Sequence, residues 1–118
     1  MGSLSANFDR EEFACKCGCG FDTVDYELLI VLEDIRVVFG RRVFVDSGCR
    51  CSKHNEDEGG KKDSWHKKAR AADIRVEGIP PSMIQSYLKG KYPGKYGIGS
   101  YVIFTHIDTR LEEARWEE

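Results

Sequence analysis

The chain has 118 residues, with 18 Lys and Arg against 20 Asp and Glu and a formal net charge of −2, a length that suits one hydrophobic core and leaves little room for a second. The near-balanced charge leaves no basic footprint for nucleic acid. The longest apolar run, Leu28-Leu29-Ile30-Val31-Leu32, is far short of the roughly 20 residues that a membrane-spanning helix needs. One domain over residues 1–118, acting as a monomer, is therefore expected, with no nucleic-acid partner and no membrane span.

Asp22 or Thr23 is a suitable N-cap for a helix running to about Phe39, in which Leu28, Leu29, Leu32, Ile35 and Val38 recur at helical spacing. Gly40 supplies its stop. Val43-Phe44-Val45 reads as a short strand leading to Ser47-Gly48, and Ala71-Ala72-Asp73-Ile74-Arg75-Val76 reads as another. Pro80-Pro81 opens a second helix with Met83, Ile84, Tyr87 and Leu88 on one face, and Gly90 ends it. A glycine-rich turn from Gly94 to Gly99 then leads into a strand over Tyr101-Val102-Ile103-Phe104-Thr105-His106-Ile107-Asp108. The pattern predicts an α+β fold with a small, mostly antiparallel sheet and flanking helices.

Two of these elements carry the chemistry. Ser64-Trp65-His66 precedes Asp73 on one strand, and His106-Ile107-Asp108 closes the last one. Two imidazoles and a carboxylate form a three-residue donor set for zinc, which in catalytic rather than structural sites leaves a fourth position for water. His66, Asp73 and His106 are the expected ligands. Side chains alternate across a strand, so His106 and Asp108 share a face while Ile107 points the other way. Asp73 sits among small alanines, and a carboxylate buried there would need a partner. His54, the third histidine, lies in a polar stretch and reads as a loop-ordering or cleft-wall residue. The five cysteines fall in Cys15-Lys16-Cys17-Gly18-Cys19 and Cys49-Arg50-Cys51. Their close spacing suits a second, structural zinc, with reduced surface thiols as the plain alternative, and the odd count argues against a complete disulfide framework.

Taken in order, the segments Asn7-Phe8, Glu12-Phe13-Ala14-Cys15, Asp46-Ser47-Gly48-Cys49-Arg50-Cys51, His54-Asn55, Gly59-Gly60, Ser64-x-His66 to Asp73, and His106-x-Asp108 with Arg115-Trp116 resemble the zinc D-Ala-D-Ala carboxypeptidase and phage endolysin family. The fold of that family is shared with the hedgehog signalling domain. The resemblance implies a zinc-dependent peptidoglycan peptidase that hydrolyses an amide bond in a stem or cross-link peptide, with Arg50 facing the substrate and Ser64 hydrogen-bonding to it. Several branches carry an acidic residue three positions before the second histidine, where this chain has Ile103. Asp108, the nearest acid on that strand face, is then the expected general base, or a residue that orients His106 through its other ring nitrogen.

Trp65 and Trp116 read as packing residues, with Arg115-Trp116 closing over the core as in the family. Lys61, Lys62, Lys67 and Lys68 read as a solvated loop face. Relatives with cysteines at both places also suggest a Cys15–Cys51 disulfide. Two departures stand out: Ala69 occupies a usual glycine position, where a positive φ would strain the turn by about 1 kcal/mol or more, and Cys49 stands where an aromatic is usual. The start, Met1-Gly2-Ser3-Leu4-Ser5, lacks the basic and apolar regions of a signal peptide, so cytoplasmic synthesis and release to the cell wall through a holin-made pore are expected by analogy. The rival readings are a non-catalytic, zinc-stabilised binding module and a phage structural component of the same fold.

Overall fold

The structure, a computed structural model, describes residues 4–57 and 64–118. Gly59-Gly60 and Lys61-Lys62 lie outside the described residues. The elements are α1 (Tyr26–Phe39), β1 (Val43–Ser47), α2 (Ser52–Asp57), β2 (Ala71–Val76), α3 (Pro81–Lys91), β3 (Gly97–Ser100), β4 (Thr105–Asp108) and β5 (Ala114–Glu117), with 3-10 turns at Arg10–Phe13 and Trp65–Lys68. The five strands form one sheet in the order β1-β2-β4-β3-β5. Every pairing is antiparallel except β3 with β5, which is parallel. The α+β expectation is met, and the architecture is compatible with a small hedgehog-like domain.

Helix α1 begins later than the sequence predicts. Its N-cap is Asp25, whose carboxylate accepts from the Leu28 N–H at 3.2 Å and from the Thr109 hydroxyl at 2.9 Å. A tertiary partner therefore selects which acidic residue caps. Leu28, Leu29, Val31, Leu32 and Ile35 are buried, whereas Val38 is half exposed, and Gly40 ends the helix in the left-handed conformation (φ 64°). In α3, Ile84 and Leu88 are buried as expected, but Met83 is exposed and Gln85 turns inward. The helix also runs through Gly90 to Lys91.

Gln85 explains the largest departure from the sequence reading. Its amide donates to the carbonyls of Tyr101 and Phe104 and lies 3.2 Å from the Thr105 hydroxyl. These contacts hold residues 101–104 as a turn, with Val102 and Ile103 on the surface. Of the glycine-rich stretch expected as a turn, residues 94–96 do turn, whereas Gly97 to Gly99 lie in β3, paired with a β4 that starts only at Thr105. The C-terminal Arg115-Trp116 lies in β5, a strand that the sequence reading leaves out.

The core lies on the face of the sheet that carries Ile74, Ile98 and Ile107, together with Leu32, Ile35, Ile84 and Leu88. Ahead of α1, the segment with Phe8 and Phe13 inserts both rings into that core. Glu33 ties it down by accepting from the Ser5 hydroxyl and from the Asn7 backbone and side chain. Gly48 then passes against it so closely that a Cβ there would fall 2.5 Å from the Phe13 Cα and carbonyl oxygen.

Two glycine substitutions should therefore act in opposite directions. Gly48→Ala should destabilise the protein by about 1–3 kcal/mol, because the added methyl meets backbone that has no room to yield. Gly90→Ala, exposed in α3 with nothing near its added methyl, should stabilise it by about 0.5–1 kcal/mol. Urea denaturation of both variants measures the two changes.

Candidate metal centre

On the face of the sheet opposite Ile107, strand register sets side chains in a row. Ser47 pairs with Asp73, Asp73 with His106, His106 with Gly99, and Gly99 with Trp116. Gly99 leaves space that Trp116 fills, since a Cβ there would lie 2.7 Å from the indole. The indole therefore reaches over to His106, with ring centroids 5.1 Å apart, and donates to the Tyr101 hydroxyl at 3.1 Å. This is a packing role for Trp116, as the sequence reading expects.

His66 reaches the row from the 3-10 turn of residues 65–68. Ser64 caps that turn by accepting from the His66 N–H at 3.2 Å. Ala69 ends it at φ 59°, ψ 27°, a left-handed conformation that glycine adopts more readily than alanine. The ligand atoms of His66, Asp73 and His106 all come within 4.8 Å of one another. Asp73 Oδ1 is 3.3 Å from His66 Nε2 and 2.9 Å from His106 Nδ1. Burial raises the Asp73 carboxyl, but hydrogen bonds with His106 and His66 outweigh it and hold the group well below the usual carboxylate range.

Each imidazole is oriented through its far nitrogen. His66 Nδ1 lies 2.7 Å from the Gly48 carbonyl oxygen and His106 Nε2 lies 2.8 Å from Asp108 Oδ2. Both of those partners accept hydrogen bonds, so both far nitrogens carry the proton. His66 Nε2 and His106 Nδ1 both face the same Asp73 carboxylate oxygen and hydrogen-bond to it, so a cation bound there would take the place of the protons that these nitrogens share with Asp73. Two imidazole nitrogens and a carboxylate oxygen around one point form a donor set that fits a divalent cation of zinc type.

Asp108 does not stand open to the centre. It is fully buried, and its Oδ1 accepts from the Gly97 N–H, the Arg110 N–H and Arg110 Nε, while its Oδ2 accepts from Arg110 Nη2 as well as facing His106. Burial raises this carboxyl too, and the contacts with Arg110 and His106 override it to a value below the usual range. Gly97 is required beneath it, because a Cβ there would meet Asp108 Oδ2 at 2.4 Å. Both oxygens are engaged, an arrangement suited to orienting His106 through its Nε2.

Arg50 lies beside the same centre. Its Nε donates to the Ser47 hydroxyl at 3.1 Å, its Nη1 to Asn55 Oδ1 at 3.3 Å, and its Nη2 is 3.5 Å from Asp73 Oδ2. Asn55, on α2, is buried. The neighbouring His54 side chain lies outside what the structure describes. Trp65 packs under cations, with Lys68 Nζ 4.0 Å and the Arg110 guanidinium 5.2 Å from its ring. Two surface depressions, one lined by Asn7, Asp9 and Glu12 and the other by Asp9, Arg10 and Asp22, contain none of the residues of the centre.

A family model described as Peptidase M15 matches residues 6–108. The chain belongs to the peptidase M15 family. Comparison with curated proteins and with solved structures gives no match. Membership in M15 bears out the family resemblance read from the sequence and supports a metallopeptidase in general. His66, Asp73, His106, Asp108 and the loop that brings Arg50 fall inside the matched span, while Trp116 lies beyond it.

The sequence reading brings His66, Asp73, His106, Asp108, Arg50 and Ser64 to this region, and the structure does place them together. It leaves out Arg110, Asn55 and the Gly48 carbonyl. Arg110 was visible in principle, since Asp108-x-Arg110 puts an arginine two residues beyond a strand-end carboxylate. The carbonyl left no trace, because any residue carries one.

Asp108→Asn should cost about 3 kcal/mol or more of stability, because it leaves the Arg110 guanidinium beside a neutral amide where a buried carboxylate stood. A carboxylate whose only task was proton transfer would be replaced with little change in folding. Thermal and chemical denaturation of the variant separates the two.

Proposed function

We propose that this M15 chain is a zinc-dependent peptidase of peptidoglycan stem or cross-link peptides, with His66 Nε2, the Asp73 carboxylate and His106 Nδ1 as the zinc ligands. The observation that carries this reading is the convergence of two imidazoles, each oriented through its far nitrogen, on one partly buried carboxylate oxygen. Bound there, zinc supplies Lewis acidity and an activated water at neutral pH.

The chain's own residues then have separate tasks. Gly48 and Asp108 keep the two rings turned so that the ligand nitrogens face inward. Arg50, held by Ser47 and Asn55, presents a planar cation next to Asp73, where it can hold a substrate carbonyl as charge develops on its oxygen or pair with a peptide carboxylate. Ser64 accepts from the His66 N–H and keeps its own O–H to donate to a substrate carbonyl. The peptidoglycan substrate follows from the resemblance to D-Ala-D-Ala carboxypeptidases and endolysins, and so does action at the cell wall.

A second reading has specific support. Ile103 replaces the acidic residue of several relatives and is exposed on the 101–104 turn, and Asp108 is immobilised by Arg110. A centre that binds zinc without hydrolysing peptides, as a recognition module, would have these features.

Digestion of purified peptidoglycan, with mass analysis of the fragments, tests the two readings. A peptidase releases new peptide termini, and Asp73→Ala removes both that activity and one equivalent of zinc. A protein that keeps its zinc and yields no fragments is a binding module. Arg50→Lys should lower kcat by about tenfold or more with zinc retained, since lysine lacks the planar fork and a charge-assisted hydrogen bond contributes roughly 1.5–3 kcal/mol. Steady-state kinetics on a soluble stem peptide measures it, and unchanged kcat would place Arg50 outside the reaction.

A further inference from the structure

We propose a second metal site, separate from the centre on the sheet, in which Cys15, Cys17, Cys19 and Cys51 hold a zinc ion as a structural tetrathiolate. Four sulfurs from two chain segments lie within 4.8 Å of one another. Cys15 Sγ is 3.4 Å from Cys17 Sγ and 3.8 Å from Cys51 Sγ, and Cys17 Sγ is 3.5 Å from Cys51 Sγ. Zinc–sulfur bonds of about 2.3 Å in tetrahedral array put their sulfurs about 3.8 Å apart, so the cluster is close to the size such an ion needs. None of the cysteines is in a disulfide, and the Cys15–Cys51 bridge suggested by relatives is not formed.

The surrounding backbone is shaped for the same purpose. Residues 16–20 are all exposed, so apolar burial supplies nothing to hold this loop. It nevertheless curls through left-handed glycines at Gly18 (φ 79°) and Gly20 (φ 92°), closed by the Cys15 N–H on the Phe21 carbonyl at 2.7 Å and the Gly18 N–H on the Cys15 carbonyl at 3.2 Å. The curl turns the thiols of Cys17 and Cys19 back toward Cys15. From the other segment, the Cys51 N–H points at Cys15 Sγ at 3.4 Å, as amide donors do around metal-bound thiolates.

The fifth cysteine accounts for the odd count. Cys49 is buried and its thiol is directed at the carbonyls of Phe13 and Phe21, away from the four. The site joins the segment around Phe13 to the residue directly after Arg50. An ion there clamps the two strands of chain that position the Gly48 carbonyl against His66 and the Arg50 guanidinium against Asp73.

The test counts metal in the reduced full chain, purified without chelator and loaded with zinc. The parent should hold two equivalents, the Cys17→Ser/Cys19→Ser double variant one, and Asp73→Ala one. Cobalt loading should give the intense near-ultraviolet thiolate-to-cobalt absorption in the parent and in Asp73→Ala, and lose it in the cysteine variant. Should that variant fold poorly, alkylation of the metal-replete parent decides: Cys17 and Cys19, although exposed, should react many-fold faster after a strong chelator is added. A parent that holds only one equivalent and an Asp73→Ala variant that holds none, no thiolate–cobalt absorption, or exposed thiols that alkylate equally fast with and without chelator would overturn the site. Loss of the sheet centre's metal alone would leave this cobalt signal standing, so the two sites fail separately.

Discussion

The arrangement depends on one partly buried carboxylate. Asp73 has a side chain only 13% exposed, set between His66, His106 and Arg50. Removing an ionised carboxylate from water costs far more than a single hydrogen bond returns, and an unpaired one would take up a proton or expel its segment from the core. Two imidazoles and a guanidinium make this position tenable, and each of them is held by another part of the chain. His66 depends on Gly48, His106 on Asp108 and Arg110, and Arg50 on Ser47 and Asn55.

Strand geometry turns that local requirement into a property of the whole domain. Because successive residues of β4 face opposite ways, Ile107 seals the hydrophobic core while His106 and Asp108 build the centre. A slip of one residue between β2 and β4 would send the ligand into the core and the isoleucine into the site. The apolar face under α1 and α3 therefore fixes the register that pairs Asp73 with His106. The glycines of β3 serve the same end by leaving room for Asp108 and Trp116.

The segment before α1 is as much a part of the centre as the sheet. Phe13 anchors it in the core, and its backbone receives both the close approach of Gly48 and the Cys49 N–H. Changes near the N-terminal cysteines are thereby linked to a histidine fifty residues along the chain by rigid backbone contact, without any direct touch between the side chains. In a domain this small such contacts substitute for a larger core.

Much of this was legible in the sequence. Helical spacing from Leu28 to Ile35, the β2 strand, and the metal-type residues His66, Asp73 and His106 are local patterns, because periodicity and residue chemistry need no knowledge of neighbours. The tertiary structure decided what depended on distant partners. Thr109 selected Asp25 as the cap, Gln85 broke the expected Tyr101–Asp108 strand, and β5 formed only because β3 offered it an edge. Arg110 likewise changed the reading of Asp108, since a carboxylate is a base or a tether according to what already occupies its oxygens, and those occupants are brought by the fold from elsewhere in the chain.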